Sequence, residues 1–275
     1  MKILVFINHF YGKNPFFKGK STVDPEEISP KVLKRTEERR SHLQATIRSL
    51  RTLSETVDIR ICGYQGKSLM DLDFDFDEEI DKPTDIMYAS LLKMSEYIED
   101  YDYFINIEDD ILLERTVFER IVSFDQNSQI NEILHPNRLE KNEKGKLFCI
   151  DLKCIPGWTY NQRIFQGKKF RQALNPHSGL AIFRKDKFRF ALANSDIHSR
   201  SIHLYLGMDS AFASIHSPFI LWRSFEEEDF HSVFHQDKWI QPKKDLITSI
   251  TLRDFIPMVI PKILKYLALS IGIRF

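Results

Sequence analysis

The chain has no cysteine pair, no excess of either charge and no apolar run long enough to cross a bilayer. Cys62, Cys149 and Cys154 are odd in number and form no CxxC, which argues against a disulfide framework and a zinc ribbon and fits a reducing compartment. Lys plus Arg is 39 and Asp plus Glu is 39, so no basic field is available to hold nucleic acid. The opening MKILVFINHF has one Lys and a short apolar run that ends at Asn8 and His9. That is too short for a signal peptide or a spanning helix and reads as a first strand. Internal repeats and low-complexity tracts are missing as well. What is present is a chain of 275 residues, 43% hydrophobic and 12% aromatic, ample for one large α/β domain or two small ones.

Ile3 to Ile7 is a continuous aliphatic and aromatic run, the pattern of a strand buried on both faces. Residues 11–30 carry Gly12, Pro15, Gly19, Pro25 and Pro30 in a polar setting and read as a long loop. From Arg35 to Leu53 there is no Gly or Pro, and Leu43, Ile47 and Leu50 recur at helical spacing. Val57 to Cys62 makes a second strand that stops at Gly63. Strand, helix, strand implies a right-handed βαβ unit and a parallel pair, a nucleotide-binding topology. Residues 71–82 alternate acids with apolar residues but lack the central Gly and final Glu of an EF-hand loop, so they read as a solvated acidic loop. Thr84 to Asp100 places Met87, Leu91, Met94 and Ile98 on one stripe, a helix leading into a further strand. Beyond it, Val117 to Phe124 is an expected helix and the run to about Lys146 a polar connection. Leu147 to Ile155 reads as strand, and Gln162 to Phe170 as an aromatic and basic loop.

The further strand is the Tyr103–Ile107 part of YDYFINIEDDILL, and it runs straight into Glu108, Asp109 and Asp110. Ligands of open α/β sheets bind at the carboxyl ends of the strands. Alternation puts Glu108 and Asp110 on one face and Asp109 on the other. Convergent hard oxygens suit Mg²⁺ or Mn²⁺. An acidic turn that favours a helix N-terminus is the other reading of the same residues.

Three later features join this strand end. NPHSGLAIF brings His177, Ser178 and Gly179 before a strand, LGMDSAF opens a helix near Asp209, and DFHSVFHQDKW carries His231 and His235 four residues apart. That histidine spacing is also that of a helical zinc pair, but residue 232 is Ser where an HExxH motif needs Glu. In this order the pieces resemble the GT-A fold glycosyltransferases, over most of residues 1–240.

The resemblance implies a Rossmann-type mixed sheet flanked by helices, with a nucleotide-binding half of about 1–113 and an acceptor half of about 114–242. It implies that Glu108, Asp109 and Asp110 stand at the DxD-like element, with Glu108 and Asp110 on the metal and Asp109 near the nucleotide. His235 or His231 would complete the metal shell, and Asp209 would be the general base of an inverting reaction, although an Asp there also caps helices. Asn8, His9, Tyr11, Gly63 and Tyr64 would line the nucleotide, and Trp158, His177, Ser178 and Gly179 the acceptor or donor sugar. The expected cofactor is Mn²⁺ or Mg²⁺. A nucleoside diphosphate sugar is the expected donor and a glycan or lipid-linked hydroxyl the acceptor, in surface polysaccharide or glycoconjugate assembly. Residues 243–275 form a basic amphipathic segment interrupted by Pro257, Pro261, Lys262 and Lys265. Such a segment either lies on an anionic membrane or covers the domain's own core. The first reading places the protein in the cytoplasm, peripheral on the inner face of the membrane. Two other classes want similar residues: a metal-dependent phosphohydrolase or nucleotidyltransferase, and an inactive membrane-associated nucleotide-binding module.

Overall fold

The computed structural model describes residues 1–11, 30–142, 144–150, 158–173, 176, 178–199 and 207–237, with only the main chain at 158 and 207–210. The expected loop across 12–29, the strand material of 151–155, His177 and the segment 243–275 lie outside the described residues.

Strand β1 (Lys2–Asn8) is followed by α1 (Pro30–Arg51), β2 (Thr56–Gly63), the short β3 (Phe74–Asp75), α2 (Ile86–Ser95) and β4 (Tyr103–Glu108). β1 pairs in parallel with β2 on one side and with β4 on the other, and β11 (Leu180–Arg184) closes the sheet antiparallel to β4. The order is β11-β4-β1-β2-β3. The apolar run of β1 follows from burial on both faces. Ile3, Val5 and Ile7 pack with Leu43, Ile47 and Leu50 of α1, while Leu4 and Phe6 pack with Met87, Leu91 and Met94 of α2. Each fully buried Leu or Ile of these layers contributes about 1.5–3 kcal/mol.

The connection through α1 carries the chain from β1 to one neighbour, and the connection through α2 carries it back to the other. Strand order therefore reverses between β1 and β4. A crevice opens at the carboxyl ends of strands flanking such a reversal. Here those ends are Asn8 with His9, and Glu108 with Asp109 and Asp110.

The rest departs from a single mixed sheet. Two four-stranded sheets flank the first, in the orders β6-β12-β10-β9 and β5-β13-β7-β8. The run expected to be a polar connection carries the end of α3 (Arg115–Asp125), β6 (Glu132–Leu134) and β7 (Asn137–Lys141). β5 (Ile111–Leu112) leaves the acidic turn, and β8 (Leu147–Cys149) pairs with β7. The expected aromatic loop at Gln162–Phe170 is instead a hairpin of β9 (Trp158–Phe165) and β10 (Lys168–Ala173). Helices α4 (Lys185–Asn194) and α5 (Gly207–His216) precede β12 (Ile220–Ser224) and β13 (Ser232–His235). Because β13 pairs with both β5 and β7, it delivers its last residue beside the acidic turn.

Candidate metal centre

Glu108 ends β4, and Asp109 and Asp110 form the turn into β5. All three are buried, as is His235 at the end of β13. Glu108, Asp110 and His235 each offer a ligand atom, and these atoms lie within 4.8 Å of one another. The turn is held from several sides. The Gln236 amide donates to the Asp110 carbonyl at 2.9 Å, and the Thr46 hydroxyl of α1 donates to the Asp109 carbonyl at 3.0 Å. Gly179 forms the opposite wall at φ +76°, and a Cβ there would stand 2.8 Å from the Glu108 carboxylate.

His235 is oriented by a residue that sequence reasoning missed. Its Nδ1 lies 2.6 Å from Oε1 of Glu140, a fully buried carboxylate on β7, and its Nε2 lies 3.3 Å from Asp110 Oδ2. Burial by itself would lower the His235 pKa, but the Asp110 charge and the hydrogen bonds to Asp110 and Glu140 push it up to about 10. Burial would likewise raise the Asp110 carboxyl, yet His235 and Arg39 hold it well below the usual carboxylate range. A carboxylate on one imidazole nitrogen, with the other facing two further carboxylates, is the outer arrangement of a metal-ligating histidine. The donor set fits a divalent cation, and its imidazole favours Mn²⁺ over Mg²⁺, which keeps to oxygen ligands.

Asp109 turns the other way. Its Oδ2 is 2.5 Å from His9 Nδ1, while His9 Nε2 accepts the Leu69 amide at 3.0 Å. A backbone N–H only donates, so this ring is the neutral Nδ1–H tautomer and both its nitrogens are used. Arg39 of α1 spans the two aspartates, with Nη2 2.5 Å from Asp109 Oδ1 and Nη1 2.9 Å from Asp110 Oδ2. Burial opposes its charge, but Asp109, Asp110 and Asp237 hold the guanidinium protonated more firmly than usual.

Asn8 closes a buried ring with Ser90 and Asn106. Its amide donates to Asn106 Oδ1 at 2.6 Å, Asn106 donates to Ser90 Oγ at 2.8 Å, and Ser90 donates back to Asn8 Oδ1 at 2.6 Å. Tyr11 bonds Thr36 of α1, and Tyr64 donates to the Asp81 carbonyl at 3.1 Å. A Cβ on Gly63 would run into the end of the Leu72 side chain, which would have to move aside. Asn8, Tyr11 and Tyr64 are all buried. A cavity of about 510 Å³ is lined by Ser68, Leu69, Asp71 and Asp75, and the Leu69 amide is the one that bonds His9.

Ser178 lies 2.8 Å from His135 Nε2, but that nitrogen also faces the Pro176 carbonyl at 2.7 Å and must carry its proton. His135 therefore has no free lone pair at Nε2 for Ser178, and the pair is not a nucleophilic dyad. His231 is corrected as a second ligand. It is fully buried, packed edge-on to Phe170, and burial lowers its pKa to about 3. The segment is a strand and not a helix, and four extended residues span roughly 13 Å, so His231 and His235 cannot share an ion. Asp209 stands in the first turn of α5, and Trp158 opens β9; only their main chains are described.

No protein-family model and no curated protein matches the chain. Among solved structures it is similar to a candidate nucleotide-diphospho-sugar transferase from Desulfovibrio desulfuricans G20, at 14% identity and TM-score 0.33, covering 68% of this chain and 64% of that one. The bifunctional IspDF from Campylobacter jejuni follows at 11% identity and TM-score 0.37, covering 83% and 51%. A glycosyltransferase involved in glycosylation of the major capsid of PBCV-1 stands at 9% identity and TM-score 0.38, covering 91% and 100%. The chain thus spans between half and two thirds of the first two.

Proposed function

We propose that the protein is a metal-dependent glycosyltransferase that moves a sugar from a nucleoside diphosphate sugar to a hydroxyl of a glycan or lipid-linked acceptor, with inversion. The observation that supports this reading most directly is the buried Glu108, Asp110 and His235 group at the strand-reversal crevice. Bound there, Mn²⁺ or Mg²⁺ would supply charge neutralisation for the departing diphosphate. Glu108, Asp110 and His235 would hold it, and Glu140 fixes the His235 ring. His9 and Arg39 position Asp109. The base and ribose enter the cavity beside Leu69, near Asn8, Tyr11, Gly63 and Tyr64. Asp209 takes the proton of the acceptor hydroxyl as its oxygen attacks the anomeric carbon. Trp158, His177, Ser178 and Gly179 border the sugar.

The biological setting we infer is surface polysaccharide or glycoconjugate assembly on the cytoplasmic face of a membrane, reached through the basic segment 243–275. Among the described residues no helix is long and apolar enough to cross a bilayer.

The test is release of nucleoside diphosphate from a panel of donor sugars with Mn²⁺, with and without lipid-linked acceptors. One donor should be consumed only with metal, and Asp110→Asn should abolish both turnover and metal-dependent donor binding. Asp209→Asn should lose about 10²- to 10⁴-fold in turnover with donor binding retained. Metal-dependent cleavage of a phosphoester with no sugar acceptor would replace this reading by a phosphohydrolase.

A further inference from the structure

Arg39 sits where a metal centre has no evident use for a cation. It reaches the acidic turn from α1, and its two terminal nitrogens go to two different carboxylates. One of these, Asp110, belongs to the candidate ligand group, and Arg39 Nη1 shares Asp110 Oδ2 with His235 Nε2. A divalent ion drawn to that oxygen competes with the guanidinium, since like charges at contact distance repel strongly in a water-poor site. The other nitrogen stays on Asp109, which is itself fixed by His9.

The way α1 is attached adds a second observation. Its buried side chains, Leu43, Thr46, Ile47 and Leu50, all lie in the second half of the helix. The first three turns, from Pro30 to His42, bury none, and Leu33 is 58% exposed. What ties this half down among the described residues is polar. Arg35 Nη2 meets Asp237 Oδ2 at 2.6 Å, Arg39 meets the acidic turn, and Thr36 meets Tyr11. With no side chain of 30–42 fully buried, this half of the helix is less firmly packed than the half that carries Leu43 to Leu50.

We propose that Arg39 is a shared cation: it neutralises Asp110 when the centre holds no ion, and it passes to the phosphate oxygens when metal and nucleoside diphosphate bind together. Asp109 is the pivot that keeps the guanidinium beside the centre during the exchange. A guanidinium binds phosphate as well as carboxylate through parallel N–H donors, so the same side chain serves both partners. It follows that metal alone binds weakly and that metal and diphosphate favour one another. This inference rests on the metal-centre reading above.

The experiment measures two affinities on the full chain. Binding of Mn²⁺ alone is followed by the electron paramagnetic resonance signal of the free ion. Binding of inorganic pyrophosphate at saturating Mn²⁺ is followed by the protein's tryptophan fluorescence. Arg39→Gln should tighten Mn²⁺ alone, because its competitor is gone, and weaken pyrophosphate about tenfold or more, because a charged hydrogen-bond partner is lost. Arg39→Lys, which keeps the charge but cannot span both carboxylates, should show the same opposed shifts at smaller size. A merely structural Arg39 would weaken both together. Shifts of the same sign, or none, overturn the role of Arg39 while leaving the metal centre standing. A wild-type chain that takes up no Mn²⁺ with or without pyrophosphate overturns the metal centre itself.

Discussion

Glu140 decides which nitrogen of His235 faces the acidic turn, because its Oε1 takes Nδ1 at 2.6 Å and leaves Nε2 toward Asp110. Replacing Glu140 by Gln keeps the shape and removes the charge that fixes the ring. Mn²⁺ affinity should fall about 10- to 100-fold, as it does when an outer-shell carboxylate is lost, with far-ultraviolet circular dichroism unchanged. An unaltered affinity by titration calorimetry would reduce Glu140 to a packing residue. The strand-end acids and the late histidine stood out in the sequence because acids after an apolar run break a pattern. Glu140 and Arg39 did not. Arg39 lies on the polar side of a helix whose apolar stripe begins at Leu43, and Glu140 lies in a polar run, so each matches its surroundings until the fold brings it to the turn. Asn106 and Ser90 differ from both, since each is a single polar residue inside an apolar segment, and only their partners, distant in sequence, were not visible.

At the scale of elements, α3 and α4 are joined by a buried lysine. Lys187 Nζ lies 2.6 Å from Asp125 Oδ1, 2.8 Å from Ser128 Oγ and 2.5 Å from the Glu132 carbonyl, while Tyr103 donates to the other Asp125 oxygen at 3.1 Å. Burial pushes the lysine down and the aspartate up, so each depends on the other for its charge. Lys187→Met should cost about 3–5 kcal/mol in urea unfolding, because it leaves Asp125 buried and uncompensated, and adding Asp125→Leu should recover most of that. A loss under about 1 kcal/mol from the single variant would contradict a buried ion pair that matters. β1, α1, β2, α2 and β4 were legible as elements because their apolar residues are buried on one or both sides of a central sheet. The β9–β10 hairpin was not. Its turn uses Gln166 at φ +48° and Gly167 at φ +71°, both left-handed as a two-residue hairpin requires, but Gln-Gly lacks the usual Asn or Asp signal. Its strands also leave Tyr160 97% and Ile164 72% exposed, so their burial pattern is weak.

Across the whole molecule, acid sensitivity follows from buried neutral histidines. His216 and His231 are held at about 4 and about 3, mainly by burial. Their folded values lie below the unfolded 6.5, so as pH falls through 6.5 the unfolded chain takes up protons that the folded chain refuses. Stability from these groups is present above pH 6.5 and is lost progressively toward pH 4 and below, by about 3 kcal/mol or more for each once the pH is below its folded value. Thermal melting should therefore fall steadily from pH 6.5 to 4.5, and His216→Gln should flatten that slope. A melting temperature independent of pH across this window would show that these rings are protonated in the fold. The parallel core was readable from its sequence runs. The two flanking sheets were not, apart from β8 within the expected strand Leu147 to Ile155, because the pairings of β6 with β12 and of β13 with β5 and β7 cross long separations, and it is one of these sheets that carries His235 to Asp110.

The most direct measurement is a titration of the full chain with Mn²⁺, read by electron paramagnetic resonance, beside Glu108→Gln and Asp110→Asn. If Glu108, Asp110 and His235 hold the ion, the wild-type chain takes up one Mn²⁺ and each variant loses at least about tenfold in affinity, the cost of one charged ligand. No uptake by the wild-type chain with or without inorganic pyrophosphate, or uptake unchanged in both variants, would contradict a metal centre at this turn.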